Sequence, residues 1–329
     1  MTTLAWGALT DTGRIRDVNQ DGVFSAEDVF VVADGMGGHR GGEVASAIVV
    51  EEMAKINAVS STDELIEMVQ QANLEVLERA REDPSLYGMG TTMVALVAMT
   101  EADTERLCVV NVGDSRLYVR TDEEMLQLTD DHSLVEGMVR DGWISPEEAM
   151  VHPQRNVVTR ALGVEDELLV DAWELQPVTG DRYLLCSDGL TNELSDAEIL
   201  EILDETDDPV EAASSLVQAA CAAGGRDNVT VVVVDVVDAE STESEPPADR
   251  VIATHKAVHD DVDVEDSTEA ADAATADEGT SDESESLELD SLSWRSFLDW
   301  RSFETWPLKW FAAVALVVLV LLLVLLAVL

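Results

Sequence analysis

Four apolar runs in this chain each abut an aspartate, and a carboxylate pinned to the end of a rigid strand restricts what the chain can build. Val29 to Ala33 ends at Asp34, Leu107 to Val112 stops just before Asp114, and Tyr183 to Cys186 stops just before Asp188. Val229 to Val237 begins just after Asp227 and Asn228. Short β-branched runs bounded by Gly, Asn and Asp read as buried strands. Between them lies helical spacing: Ala45, Ile48, Val49, Met53 and Ile56, then Leu65, Val69, Ala72, Val76 and Ala80. A capping box, Ser195-Asp-Ala-Glu198, opens a short helix carrying Ile199, Ile202 and Leu203. Residues 1–238 therefore read as one domain of alternating strand and helix signals, without an internal repeat.

Strand ends open onto loops, where sites are built on a fixed scaffold. Here they carry Asn19-Gln20-Asp21, Asp34-Gly35-Met36-Gly37-Gly38-His39, Val112-Gly113-Asp114-Ser115-Arg116, Ser187-Asp188-Gly189 and Arg226-Asp227-Asn228. Carboxylates brought together repel unless a cation lies between them. Oxygen-only ligands select hard cations, Mg²⁺ or Mn²⁺. Gly after Asp lets the backbone turn and present a carbonyl as a further ligand. A single pair such as Asp21-Gly22 or Asp141-Gly142 reads more simply as a turn; the ordered set does not.

The order and spacing of these motifs resemble the type 2C, or PPM, family of metal-dependent protein phosphatases across residues 1–238. The resemblance rests on Arg16-Asp-Val-Asn-Gln-Asp21, Asp34-Gly-Met-Gly-Gly-His39, Gly90-Thr-Thr92, Val112-Gly-Asp-Ser-Arg116, Leu128-Thr-Asp-Asp-His-Ser133, His152-Pro-Gln-Arg-Asn-Val-Val-Thr-Arg-Ala-Leu-Gly163, Ser187-Asp-Gly-Leu190 and Arg226-Asp-Asn-Val-Thr230. The Asp-Gly-Met-Gly-Gly-His run looks like the bacterial and archaeal branch. The family implies an α+β fold, a four-layer α/β/β/α sandwich of two antiparallel sheets flanked by helix pairs. It implies two Mn²⁺ or Mg²⁺ ions held by Asp34, the Gly35 carbonyl, Asp188 and Asp227, with Asp21 holding a metal-bound water. Asp114, with Asp188, matches the place of a third cation. Arg16 matches the residue that grips the substrate phosphate, and residues 137–153 match a flap beside the site.

The implied reaction is hydrolysis of phosphoserine and phosphothreonine in proteins by a metal-activated water. It needs no protein nucleophile, and the Cys-x₅-Arg loop of cysteine phosphatases is absent at Cys186. Two residues depart from the family pattern. Gln20 stands where many members carry Glu. Met36 stands where animal members place a His thought to act as general acid, and Met cannot donate a proton. His39 is a candidate for a proton role or a helix start; His132 and His152 read as flap or core residues. Two rival readings keep the fold and change the activity: a catalytically weak regulatory module, and a hydrolase of small phosphoesters. The intact aspartate set speaks against the first.

Charge divides the chain. Residues 1–238 hold 48 acidic and 14 basic residues, a net of −34 within a total of −49. Such a surface repels nucleic-acid phosphates and needs screening, as in a halophile's cytoplasm. Residues 239–290 carry 18 acidic and 2 basic residues and no aromatic one, the composition of a disordered linker. Residues 291–309 mix Trp294, Phe297, Trp300, Phe303 and Trp306 with Arg295, Arg301 and Lys309, which suits a membrane interface. Residues 310–329 have no charge, Pro or Gly, a run long enough to span a bilayer as a transmembrane helix. With the basic flank on its N-terminal side, the expectation is a single-pass cell-membrane protein with a cytoplasmic catalytic domain. Its expected partners are phosphorylated proteins, membrane-associated Ser/Thr kinases among them. The N-terminus has no basic n-region and does not read as a signal peptide. Three scattered cysteines, Cys108, Cys186 and Cys221, read as small buried hydrophobes.

Overall fold

The computed structural model describes residues 2–37, 41–56, 59–101, 104–121, 124–239 and 251–255. Its strands form two antiparallel sheets. The first runs β1 (Thr3–Asp11), β11 (Val229–Asp238), β10 (Arg182–Cys186), β7 (Arg116–Arg120) and β8 (Met125–Gln127). The second runs β12 (Val251–His255), β9 (Asp171–Leu175), β6 (Thr104–Val112), β5 (Met93–Glu101), β3 (Val29–Met36) and β2 (Asp21–Ser25), with β4 (Gly90–Thr91) paired to the end of β3.

Strand periodicity explains why these runs are apolar throughout, since both faces are covered. Phe30 and Val32 of β3 and Leu107 and Val109 of β6 meet Tyr183, Leu185, Val232 and Val234 between the sheets. The alternate residues Val31, Ala33, Cys108 and Val110 pack outward on α1 (Gly41–Met53) and α2 (Thr62–Glu82), through Val49, Met53, Leu65 and Val69. On the far side Leu184, Cys186, Val231 and Val233 pack on α6 (Asp196–Glu205) and α7 (Pro209–Ala223), through Ile199, Leu203, Leu216 and Val217. Each Val, Leu, Ile, Phe or Met among them contributes about 1.5–3 kcal/mol when fully buried. The result is the expected α/β/β/α layering. Ser195 and Glu198 form the expected capping box at the start of α6, and all three cysteines are free and buried.

One boundary differs. The acidic stretch assigned wholly to a linker contains a strand: β12 pairs antiparallel with β9, Val251 opposite Leu175 and His255 opposite Ala172. Local composition hides it, because the apolar run Val251-Ile252-Ala253 is only three residues long within a stretch that is otherwise mostly polar and acidic. Pairing with the open edge of β9 supplies the hydrogen bonds the segment lacks alone. The domain thus reaches residue 255. Residues 240–250 and 256–290 of the assigned linker, the aromatic and basic segment 291–309 and the apolar run 310–329 lie outside the described residues. Among the described residues no helix is long and apolar enough to cross a membrane.

Antiparallel pairing brings the functional loops to one end. Asp21 pairs with Asp34, Met93 with Val112, and Asn111 with Asp171, so these strand ends of the second sheet coincide. In the first sheet Cys186 meets Arg116, and Val229 meets Asp11. His255, opposite Ala172, leaves β12 at the same end.

Candidate metal centre

Asp34 sits two residues before the end of β3. Its N–H donates to Thr92 Oγ1 at 3.0 Å, and Thr91 Oγ1 donates to its carbonyl at 2.9 Å. Gly35 follows with its N–H on Gln20 O at 3.2 Å; a side chain there would collide with the backbone of Gly42. Asp21 opens β2 directly opposite. Its Oδ2 accepts from Ser187 Oγ at 2.8 Å and from Thr230 Oγ1 at 2.6 Å, while Oδ1 is buried without a partner. Asp188 begins the short helix α5 (Asp188–Thr191) just beyond β10. Asn192 Nδ2 donates to its Oδ2 at 2.9 Å, and its Oδ1 is likewise buried and unpaired. Asp114 follows Gly113 beyond β6 and is buried.

Asp227 precedes β11. One oxygen accepts from the N–H of Asn228 at 2.9 Å, the other from Arg16 Nη2 at 2.8 Å. Arg16 projects from the β1–β2 loop with its side chain half exposed. Asn228 shapes that loop: its Nδ2 donates to Thr12 O and Val18 O, each at 3.0 Å, and its Oδ1 accepts from Gln20 N at 2.8 Å.

The electrostatics follow from this crowding. Burial, opposed by the Thr230 and Ser187 hydroxyls, raises the Asp21 carboxyl to about 7. Burial and the nearby Asp188 and Asp131 raise Asp114 to about 7. Burial, then Asp21 and Asp188, holds Asp34 well above the usual carboxylate range. Burial, then Asp227, raises Asp188. Among the described residues no three acidic, His or Cys side chains already close on one point in ligating geometry. Asp227 is instead paired with Arg16. The donor set nonetheless fits hard cations: every group is an oxygen, the acidic groups outnumber the one arginine paired among them, and two buried carboxylate oxygens lack a hydrogen-bond partner.

The expected residues Asp21, Asp34, Gly35, Asp114, Asp188, Asp227 and Arg16 thus gather at one end of the sandwich. His39 lies outside the described residues. Met36 reaches toward Gly90, an apolar contact with no proton to give. From the centre a cleft of about 760 Å³ runs past Asp114 and Asp188, between Val135, Val139 and Met150 on one side and Leu194 and Ser195 on the other. The wall comes from α3 (Leu134–Arg140), which begins three residues before the expected flap, and α4 (Pro146–Met150), which lies inside it. Sequence reasoning missed Ser187, Thr230 and Asn228 as the groups that hold Asp21 and the Arg16 loop; their one signal was adjacency to Asp188 and Asp227.

The sequence profile described as Protein phosphatase 2C matches residues 14–220. The chain belongs to that family. A serine/threonine phosphatase stp of Listeria innocua serovar 6a is 43% identical over 239 residues, covering 69% of this chain and 93% of its own. The serine/threonine protein phosphatase PstP of Mycobacterium tuberculosis is 40% identical over 248 residues, 74% of this chain and 47% of its own. Among solved family members, the catalytic domain of PstP in complex with two manganese ions superposes with a TM-score of 0.64 at 39% identity, covering 72% of this chain and all of that one.

Proposed function

We propose that this chain is a protein serine/threonine phosphatase that hydrolyses phosphoserine and phosphothreonine with two bound Mn²⁺ or Mg²⁺ ions. The observation that carries the reading is the convergence of Asp21, Asp34, Asp188 and Asp227 from both sheets, with Arg16 at the rim. Asp34, the Gly35 carbonyl, Asp188 and Asp227 hold the two ions, and Asp114 with Asp188 holds a weaker third. When bound, the cations lower the pKa of a water toward neutrality and offset charge on the phosphoryl group. Asp21, braced by Ser187 and Thr230, keeps one oxygen free to orient that water. Arg16, half exposed at the rim on Asp227, would grip the phosphate, and its planar fork matches two phosphate oxygens. In the full chain, EDTA should abolish phosphate release from a phosphothreonine peptide and Mn²⁺ should restore it; full activity after metal stripping refutes the reading. Arg16→Ala should raise KM severalfold with Mn²⁺ binding kept, and an unchanged KM removes the phosphate role of Arg16.

The remaining parts of the reading rest on sequence. Residues 256–290 act as an acidic linker, 291–309 as an interfacial segment and 310–329 as a transmembrane anchor, with the phosphatase domain cytoplasmic. The substrates in view are membrane-associated phosphoproteins, Ser/Thr kinases among them, in a signalling role. The Asp-Gly-Met-Gly-Gly-His motif supports the bacterial and archaeal branch, and the acidic surface supports a saline cytoplasm. Deleting 291–329 should release the protein to the soluble fraction without changing peptide turnover; sedimentation with carbonate-washed membranes after deletion rules out the anchor.

A further inference from the structure

The excursion carrying α3 and α4 leaves and rejoins the domain at one place. Leu134 N–H donates to Val157 O at 2.9 Å, Thr159 N–H donates to His132 O at 2.8 Å, and Ser133 bridges to Val158. His132, at its foot, is 8% exposed. Gly113 N–H donates to His132 Nδ1 at 2.9 Å, and the backbone N–H of His132 donates to Gly113 O at the same distance. Nε2, on the other side of the ring, lies 3.2 Å from Asp171 Oδ2 and 3.0 Å from Arg160 Nη1. Arg160 Nη1, from the returning stem, donates to the other oxygen of Asp171 at 2.9 Å. Asp171 is the first residue of β9.

Gly113 needs support from outside itself. Its φ is +112°, and a Cβ there would lie 2.5 Å from Thr92 Cβ, so no side chain of its own can lock the turn. His132 grips it through both backbone polar groups, while Arg160 and Asp171 orient His132. One buried imidazole thus ties together the turn that presents Asp114, both stems of the excursion, and a strand of the second sheet.

We propose that His132 is a positioning residue that holds the Asp114 carboxylate and the excursion over the cleft in one fixed relation. Its consequence for cation binding rests on the phosphatase reading; the clamp itself does not. Two substitutions in the full chain divide the ring. His132→Asn keeps an acceptor near the Nδ1 position and loses reach to Asp171. His132→Gln reaches toward Asp171 and leaves Gly113 N–H unpaired. In His132→Gln, hydrogen exchange at the Gly113 amide and tryptic cleavage after Arg140 should rise about tenfold, the scale of one lost buried hydrogen bond. The weakest Mn²⁺ equivalent in a calorimetric titration should weaken in parallel, with KM for phosphopeptide little changed. His132→Asn should keep Gly113 protection near that of the parent. Asp171→Asn, which preserves volume, should raise exchange at Gly113 part of the way. Equal loss of protection in His132→Asn and His132→Gln, with a shared fall in Tm, overturns the proposal and leaves a packing role. Unchanged exchange at Gly113 in His132→Gln or Asp171→Asn overturns it as well. Should the parent release no phosphate, the phosphatase reading fails, and the exchange and proteolysis measurements still decide the clamp.

Discussion

At the scale of single residues, carboxylates that serve a cation burden the fold when the cation is missing. Asp34 and Asp188 are raised by burial first and by neighbouring carboxylates next. Asp34→Asn should therefore cut turnover by several orders of magnitude while raising the Tm of the metal-free protein, and should remove the Tm gain produced by Mn²⁺. A lowered metal-free Tm would show that Asp34 supports the fold rather than the centre. The pH dependence has a defined sign. With Asp21 and Asp114 raised to about 7 from 3.8, the folded metal-free protein binds more protons than the unfolded chain between those values. Stability from these groups is present at acid pH and falls as pH rises toward about 7. Saturating Mn²⁺ should flatten that part of a Tm-against-pH curve, and an identical slope with and without Mn²⁺ would refute the placement. The aspartates were legible in the sequence because each abuts a strand-like run. Ser187, Thr230 and His132 were not legible as their supports, because a hydroxyl or imidazole that meets a carboxylate across two sheets leaves no periodic mark along the chain.

At the scale of elements, the buried strands and long helices could be read from the sequence, since two covered faces force unbroken apolar runs and helices keep their spacing. β12 could not, because a short edge strand is specified by its neighbour more than by itself. Its removal is a direct test. A chain ending at residue 238 exposes the edge of β9 and uncovers Val251's partners, which include Trp173 and Leu175. It should melt below a chain ending at residue 255, by about 2–4 °C for each kcal/mol of pairing lost. It should also self-associate more readily in sedimentation velocity. Equal melting and equal sedimentation would mean that β12 adds nothing to the domain.

At the scale of the whole molecule, the net of −34 in residues 1–238 is a repulsive load carried mostly by exposed Asp and Glu. Screening shortens from about 10 Å at 0.1 M salt to about 3 Å at 1 M. Tm should rise as KCl goes from dilute to molar; a salt-independent Tm would remove the saline-cytoplasm reading and leave the metal centre untouched. The exit of the chain has a mechanical side. His255 ends β12 four strands from β3, at the end of the sheet that holds Asp34, a lateral offset of ~19 Å at ~4.8 Å per strand. A load carried through β12 therefore enters the domain toward the pole that holds Asp34 and not at the opposite one.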